Sequence, residues 1–465
     1  MPRSFIFRAL PILLAISLAG CRDATSSDPG VLEAFFGEDR SLLTPFDPDA
    51  PDEKEEWVGW IRRSHEPIRS LTSTEFADLR FLEGVLAGKR VVQLGESSHG
   101  VREFNQAKVR LIRYLHEEQG FDVIAFESGL FECWRANESV PDVDANTTMR
   151  NCIFGVWHTA EVLELFEYIE ETRGTSRPLI LAGFDMQASG SLGTQVSRAF
   201  MQQVVGTVDP DYASRVSGLE RDARGEFNAL RMAGAKPGPD MAALRKYLPA
   251  YDALVAWVDA NMAALTAAHG GNPQRPIVLR QLAYSRRQDI EENSNPDRIQ
   301  RALAREVGMA NNLDVLLDRL HPGKKVIVWA HNYHIQKDRA ALVPAVDAPP
   351  EELGDFNGMG HFVHARRGAE VYTVGLFMYR GRGAFNNREI HDVAPALPGS
   401  LESLGYRVRK KQFFLDLAGA SGPGSDWARS TAVLKDWGLY DFLQVPADQY
   451  DGILFVDTVN PPDYL

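Results

Sequence analysis

The stretch Arg90-Val91-Val92-Gln93-Leu94-Gly95-Glu96-Ser97-Ser98-His99-Gly100 decides the fold. Arg90 to Leu94 is a short, mostly apolar run that reads as a strand. Gly95 breaks it, and an acid, two serines and a histidine follow at once. Arg102 to Gln119 then sets Phe104, Ala107, Leu111 and Leu115 at helical spacing. Strand, reactive turn and helix in that order open a parallel α/β layer.

The same alternation repeats outward from this unit. Further strands are expected at Asp122–Phe126, Pro178–Ala182, Lys325–Trp329, Glu370–Phe377 and Gly452–Val456. Helices are expected at Ala160–Thr172, with Val162, Leu163, Phe166 and Ile169 inward, and near Met309–Leu320. The fold class is therefore α/β, with a mostly parallel central sheet flanked by helices. Between about residues 191 and 300 the strands disappear, and an Ala-, Leu- and Arg-rich stretch of helical periodicity is broken only near Lys236-Pro237-Gly238-Pro239. This is a helical insertion, which either caps the site or packs on the sheet.

In open α/β sheets, ligands bind beyond the carboxyl ends of the strands. Here those ends carry chemistry: Glu96 and His99 after the first strand, Glu127 after the second, Asp185 after the third, His331 after the fourth and Asp457 after the last. Each has a plainer role when taken alone. Glu96 could cap the next helix, where the dipole favours an acid. His99 could be a hydrogen-bonded structural histidine, Glu127 could pair with an arginine, Asp185 could hold its loop, and His334 could face solvent. A shared rim explains them together.

Such a cluster suits water activation: a histidine accepts the proton, a carboxylate fixes its tautomer, and a second histidine stabilises an oxyanion. A nucleophilic Ser97 or Ser98 fits poorly, because His99 stands where a G-x-S-x-G elbow needs its second glycine. Glu and His are also zinc ligands, but no tight spacing such as H-E-x-x-H occurs. A metal-dependent hydrolase, and a non-catalytic binding protein that kept the cleft, stay open beside the metal-free hydrolase, which requires no cofactor.

The N-terminus adds a location. Arg3 and Arg8 precede a short apolar run, Ala9–Leu18, which is too short to span a bilayer and reads as a signal peptide. Leu18-Ala19-Gly20-Cys21 resembles the lipobox of bacterial lipoproteins, so cleavage before Cys21 and its acylation are expected. The chain would then be exported and held to a bilayer; Arg22 in place of an aspartate favours the periplasmic side of the outer membrane. Residues 22–52, rich in Asp, Pro and Ser, read as a tether, and 53–465 as the catalytic domain. In an oxidising compartment the remaining cysteines, Cys133 and Cys152, are expected to pair, the alternative being two separate buried thiols. A net charge of −13, with no Lys/Arg-rich block, speaks against nucleic acid as a partner.

Gly95-Glu96-Ser97-Ser98-His99-Gly100 with Glu103-Phe104 resembles the G-E-x-[ST]-H-G-x-x-E-F signature of the erythromycin esterases. Phe126-Glu127, Gly183-Phe184-Asp185-Met186-Gln187, Met309-Ala310-Asn311-Asn312, Trp329-Ala330-His331-Asn332-Tyr333-His334 and Tyr450-Asp451-Gly452-Ile453 agree in order, so the resemblance runs from about Leu79 to Pro461. It implies a small-molecule ester or lactone substrate, with His99 as general base and Glu127 as its carboxylate partner. Glu96 and His331 would orient water or polarise the carbonyl, with His334 in support. Lys108 stands where the family often has an arginine, and the stretch from Trp157 to Glu161 follows the usual Trp-Arg pattern only loosely. With Asp185, Tyr333 and His334, these positions are expected to touch substrate.

Overall fold

A computed structural model describes residues 55–139, 142–345 and 356–465. The signal peptide, Cys21 and the tether lie outside the described residues. In chain order the strands are β1 (Glu66–Pro67), β2 (Val91–Leu94), β3 (Phe121–Gly129), β4 (Ile180–Asp185), β5 (Lys325–Trp329), β6 (Val343–Pro344), β7 (Val371–Ala384), β8 (Ile390–Asp392), β9 (Gln412–Asp416), β10 (Ala432–Asp436), β11 (Tyr440–Gln444) and β12 (Gly452–Val459).

The main sheet runs β1-β9-β12-β7-β2-β5-β3-β4, with β8 attached to β7. Every pairing from β12 through β4 is parallel. These are the strands expected from the sequence. Antiparallel β9, β1 and β8 are additions at its margin, and β10, β11 and β6 form a separate antiparallel sheet. After β1 at the sheet edge, the chain enters the middle of the sheet at β2, runs out to β3 and β4, and returns to lay β5 between β2 and β3. That reversal puts the ends of β2, β3 and β5 side by side, the place where such sheets bind ligands.

Both faces of the sheet are buried, and the side chains sort by the two-residue strand period. Val92, Ile124, Phe126, Ile327 and Trp329 enter one core, while Val91, Val123, Ala125, Val326 and Val328 enter the other. Helices α1 (Arg102–Gln119), α2 (Leu130–Ser139), α3 (Ala145–Cys152) and α4 (Ala160–Thr172) follow β2 and β3. Of these, α1 and α4 line the first core, with Phe104, Leu111, Val162 and Phe166 inward. A disulfide joins Cys133 on α2 to Cys152 on α3.

The second core answers the question left by the helical insertion. Helices α5 (Gly193–Gly206), α6 (Pro210–Met232), α7 (Leu248–Ala268), α8 (Gln274–Ser294) and α9 (Arg298–Val315) fill the chain between β4 and β5. Phe200, Val204, Tyr251, Leu282, Met309 and Leu313 from these helices pack with the second set of strand residues. The insertion covers a face of the sheet, and it extends past residue 300 because α9 completes that layer.

Candidate functional site

The site begins where β2 stops. A Cβ on Gly95 would collide with Asn332, so this close approach of two strand-end loops requires glycine. Glu96 comes next and is fully buried. Its Oε1 accepts from His99 Nδ1 at 2.6 Å and from Trp157 Nε1 at 2.9 Å, and its Oε2 accepts from Lys108 Nζ at 2.7 Å. Burial alone would raise the Glu96 carboxyl, but the Lys108 charge and the His99 hydrogen bond hold it below the usual range. Burial in turn depresses Lys108 to about 8, against the pull of Glu96. Glu96 is thus a carboxylate that accepts a hydrogen bond from the Nδ1–H of His99, which leaves Nε2 of that ring as the acceptor.

Glu127 anchors the second half. The register of β3 against β4 shifts between Phe126 and Gly129, so Glu127 lies within an irregular strand rather than beyond its end. Such irregularities commonly re-aim a side chain beside an active site. Glu127 accepts from Arg305 Nη2 at 2.8 Å, from His334 Nε2 at 3.1 Å and from the His331 backbone N–H at 2.9 Å. Burial works to raise its carboxyl, yet His334 and Arg305 hold it well below the usual range. His334 is pinned at both ends, since Nδ1 lies 2.8 Å from Glu306. Burial opposes its charge, but Glu127 and Glu306 together raise it to about 9.

His331 faces His99 with ring centroids 4.9 Å apart. Its Nδ1 accepts the Tyr333 N–H at 3.2 Å, so the proton of the neutral ring sits on Nε2. Burial, and then the neighbouring His99, hold the ring well below the usual histidine range. The arrangement sets a proton acceptor on His99 opposite a neutral N–H donor on His331.

Several expected roles change in this geometry. The carboxylate on His99 Nδ1 is Glu96, while Glu127 organises the His331–His334 turn. Lys108 and Trp157 were expected to touch substrate, but both are fully buried; Trp157 donates to Glu96, and Lys108 donates to Glu96 and to the Ala330 carbonyl. Asp185 is likewise buried, and it pairs with Arg305 at 2.7 Å, because a carboxylate inside a dry core needs a counter-charge. Tyr333 lies under the Arg339 guanidinium at 3.7 Å and against His334. Asp457 stays out of the group: β12 continues to Val459, and the Asp457 carboxylate pairs with Arg380 at 3.0 Å near the surface.

Residues unmarked in the sequence complete the site. Arg305 and Glu306 arrive on α9, where an Arg-rich helical stretch hides them. Asp436 ends β10 and Trp437 opens the turn after it; the sequence Asp436-Trp437-Gly438 was the available turn signal.

Known proteins share this fold. The model of the erythromycin esterase family matches residues 116–459, most of the chain. The chain belongs to that family. YbfO of Bacillus subtilis, provisionally named a hydrolase, is 31% identical over 433 residues, covering 89% of this chain and 93% of the relative. Among solved structures, a Bacillus cereus protein superposes with a TM-score of 0.73 at 18% identity, covering 90% of this chain and all of its own. A mutant of erythromycin esterase EreC in its open conformation superposes at 0.61 with 17% identity, covering 84% of this chain and 96% of its own. These structural likenesses establish the shared α/β fold, and family membership supports hydrolase activity.

Proposed function

We propose that this protein hydrolyses an ester or lactone of a small molecule with water activated by His99. The observation that carries the reading is the 2.6 Å hydrogen bond from His99 Nδ1 to a buried, charge-compensated Glu96. It fixes the tautomer in which Nε2 accepts, as a general base must. Water gives its proton to Nε2 and its oxygen attacks the carbonyl carbon. The His331 Nε2–H supplies a neutral donor to the oxygen that becomes negative. Lys108 and Trp157 keep Glu96 placed, and Arg305, His334 and Glu306 keep His331 placed through Glu127.

The same contacts support an acid–base rather than a metal-ligand role for the carboxylates. Both oxygens of Glu96 and both oxygens of Glu127 already accept from protein donors. An ion would have to displace them.

For location, we propose export and anchoring through acylated Cys21. The Cys133–Cys152 disulfide supports an oxidising compartment.

The test is a panel of esters and macrocyclic lactones, macrolides included, with the protein lacking residues 1–21 and its His99→Ala variant, each with and without chelator. Turnover lost in the variant and indifferent to chelator is the expected result. Turnover abolished by chelator would turn the carboxylates into metal ligands, and no turnover by folded protein would favour a binding role.

A further inference from the structure

Trp437 is a non-glycine residue at φ +54°, a conformation that its surroundings must support. They do. Its backbone N–H donates to Ser97 O at 2.6 Å; its indole stacks on His331 at 5.0 Å and meets His99 edge-on at 5.5 Å. The turn between β10 and β11 is thereby fastened to the loop that carries His99. The preceding residue, Asp436, places Oδ1 3.7 Å from His331 Nε2. That separation is too long for a hydrogen bond. Among the described residues neither atom has a hydrogen-bond partner, though both are shielded. A buried donor and a buried oxygen held side by side, bonding neither each other nor their surroundings, are costly unless a third group meets both.

The two do not form an ion pair. His331 is held neutral, and burial raises the Asp436 carboxyl to about 7 against the Trp437 N–H, Arg339 and His334. The other groups facing it are His331, Tyr333, Tyr440 and Tyr450, none of which offers a compensating positive charge. A neutral His331 N–H and, in the protonated form of the carboxyl, an Asp436 O–H thus lie side by side, next to a His99 ring centred 4.9 Å from that of His331. A tetrahedral carbon bears its oxyanion and its departing oxygen that close together.

Resting on the ester-hydrolysis reading, we infer that Asp436 is a further catalytic residue, the acid that protonates the leaving alcohol while His331 holds the oxyanion. The step balances. Water loses a proton to His99 Nε2 and its oxygen bonds to the carbonyl carbon, whose π pair moves onto oxygen. When that pair returns, the carbon–alkoxy bond breaks and its electrons stay on the alkoxy oxygen, which takes the Asp436 proton. The proton on His99 then re-enters Asp436 through solvent, restoring both groups.

The experiment compares an ethyl ester and a 4-nitrophenyl ester of one acid. Nitrophenolate leaves without help; ethoxide needs a proton. For Asp436→Asn we expect a fall of about 10²-fold or more on the ethyl ester, the usual worth of a general acid, and a fall of less than about 10-fold on the nitrophenyl ester. Asp436→Glu should recover part of the difference. The unmodified protein gives a second readout that needs no folded variant. Its ethyl-ester rate should decline as pH rises through about 7, while its nitrophenyl-ester rate holds there. Equal falls on both esters in Asp436→Asn, or parallel pH profiles in the unmodified protein, overturn the assignment. Turnover of neither ester by unmodified protein overturns the hydrolase reading itself, and the role of Asp436 with it.

Discussion

His334 Nε2 stands 3.1 Å from Glu127, and the other nitrogen of the same ring stands 2.8 Å from Glu306. One imidazolium thus joins the carboxylate on β3 to one on α9, and its pKa is raised to about 9 although burial opposes the charge. The sign of the stability effect follows. Unfolded histidine titrates near ~6.5, so the contribution of His334 is complete below that pH and is withdrawn as the pH rises through about 9. Glu127 acts oppositely: its contribution is present above the ordinary glutamate range near ~4.3 and is lost as pH falls through its depressed value. Lys108, depressed to about 8, adds a counter-slope only above that pH. Melting temperature should therefore decline between pH ~6.5 and about 8, and His334→Gln should flatten that decline. An unchanged slope in the variant would remove the charge from His334.

Arg305 is the counter-ion on which two buried carboxylates depend. It reaches Glu127 at 2.8 Å and Asp185 at 2.7 Å, from a position with no exposure to speak of. Breaking one partner out of a buried ionic group leaves charge without compensation, at about 3–5 kcal/mol. Arg305→Met should be destabilised by that order in urea unfolding. Arg305→Lys should fall between, because an ammonium replaces the fork with a point charge. Adding Asp185→Asn to Arg305→Met should return part of the loss. A strictly additive double variant would show that the residues are not coupled.

How much of this was legible in the sequence depended on burial. Val91-Val92 and Val326-Ile327-Val328 are apolar on both sides because both faces of the sheet are covered, so a plain hydrophobic run announced them. The edge strands gave no such run. β8 alternates exposed and half-buried residues, and β1 is two exposed residues, Glu66 and Pro67. Glu96, His99 and His331 were readable because each directly follows a central strand. Their pairings were not, because Lys108 lies on α1 and Trp157 on a short 3-10 turn, Gly155–Trp157, and only the folded chain aims both at Glu96. Asp457 misled for the converse reason: its strand runs on past the point where the apolar pattern stops.

The Cys133–Cys152 bond closes a loop with a sequence separation of 19 between α2 and α3. A closure of that length restricts the unfolded chain by about 3 kcal/mol in the chain-entropy account. The pair Cys133→Ala with Cys152→Ala should lose stability of that order. Catalytic constants at a temperature well below melting should stay within about 2-fold, because neither sulfur touches Glu96, Glu127 or His331. A kcat that collapsed in folded protein would tie the α2–α3 segment to the chemistry.

Glu96→Gln tests the hydrogen bond on which the proposed mechanism turns, and its outcome follows from donor counting. Lys108 has only protons to give, so the new amide must turn its oxygen toward Nζ. Its NH2 then faces His99 Nδ1 and the Trp157 N–H, where the native carboxylate accepted both. His99 can answer the amide only by exposing a lone pair at Nδ1, which moves its proton to Nε2 and abolishes the acceptor aimed at water. The comparable loss in a serine-protease triad, where an amide replaces the orienting carboxylate, is about 10⁴-fold in kcat. A drop of about 10³–10⁴ in kcat with KM nearly constant is expected here, and nitrogen NMR of the His99 ring should show the proton on Nε2 in the variant. Glu96→Asp keeps an acceptor and should recover part of the rate. Retention of kcat within about 10-fold in Glu96→Gln, with the proton still on Nδ1, would place the base elsewhere.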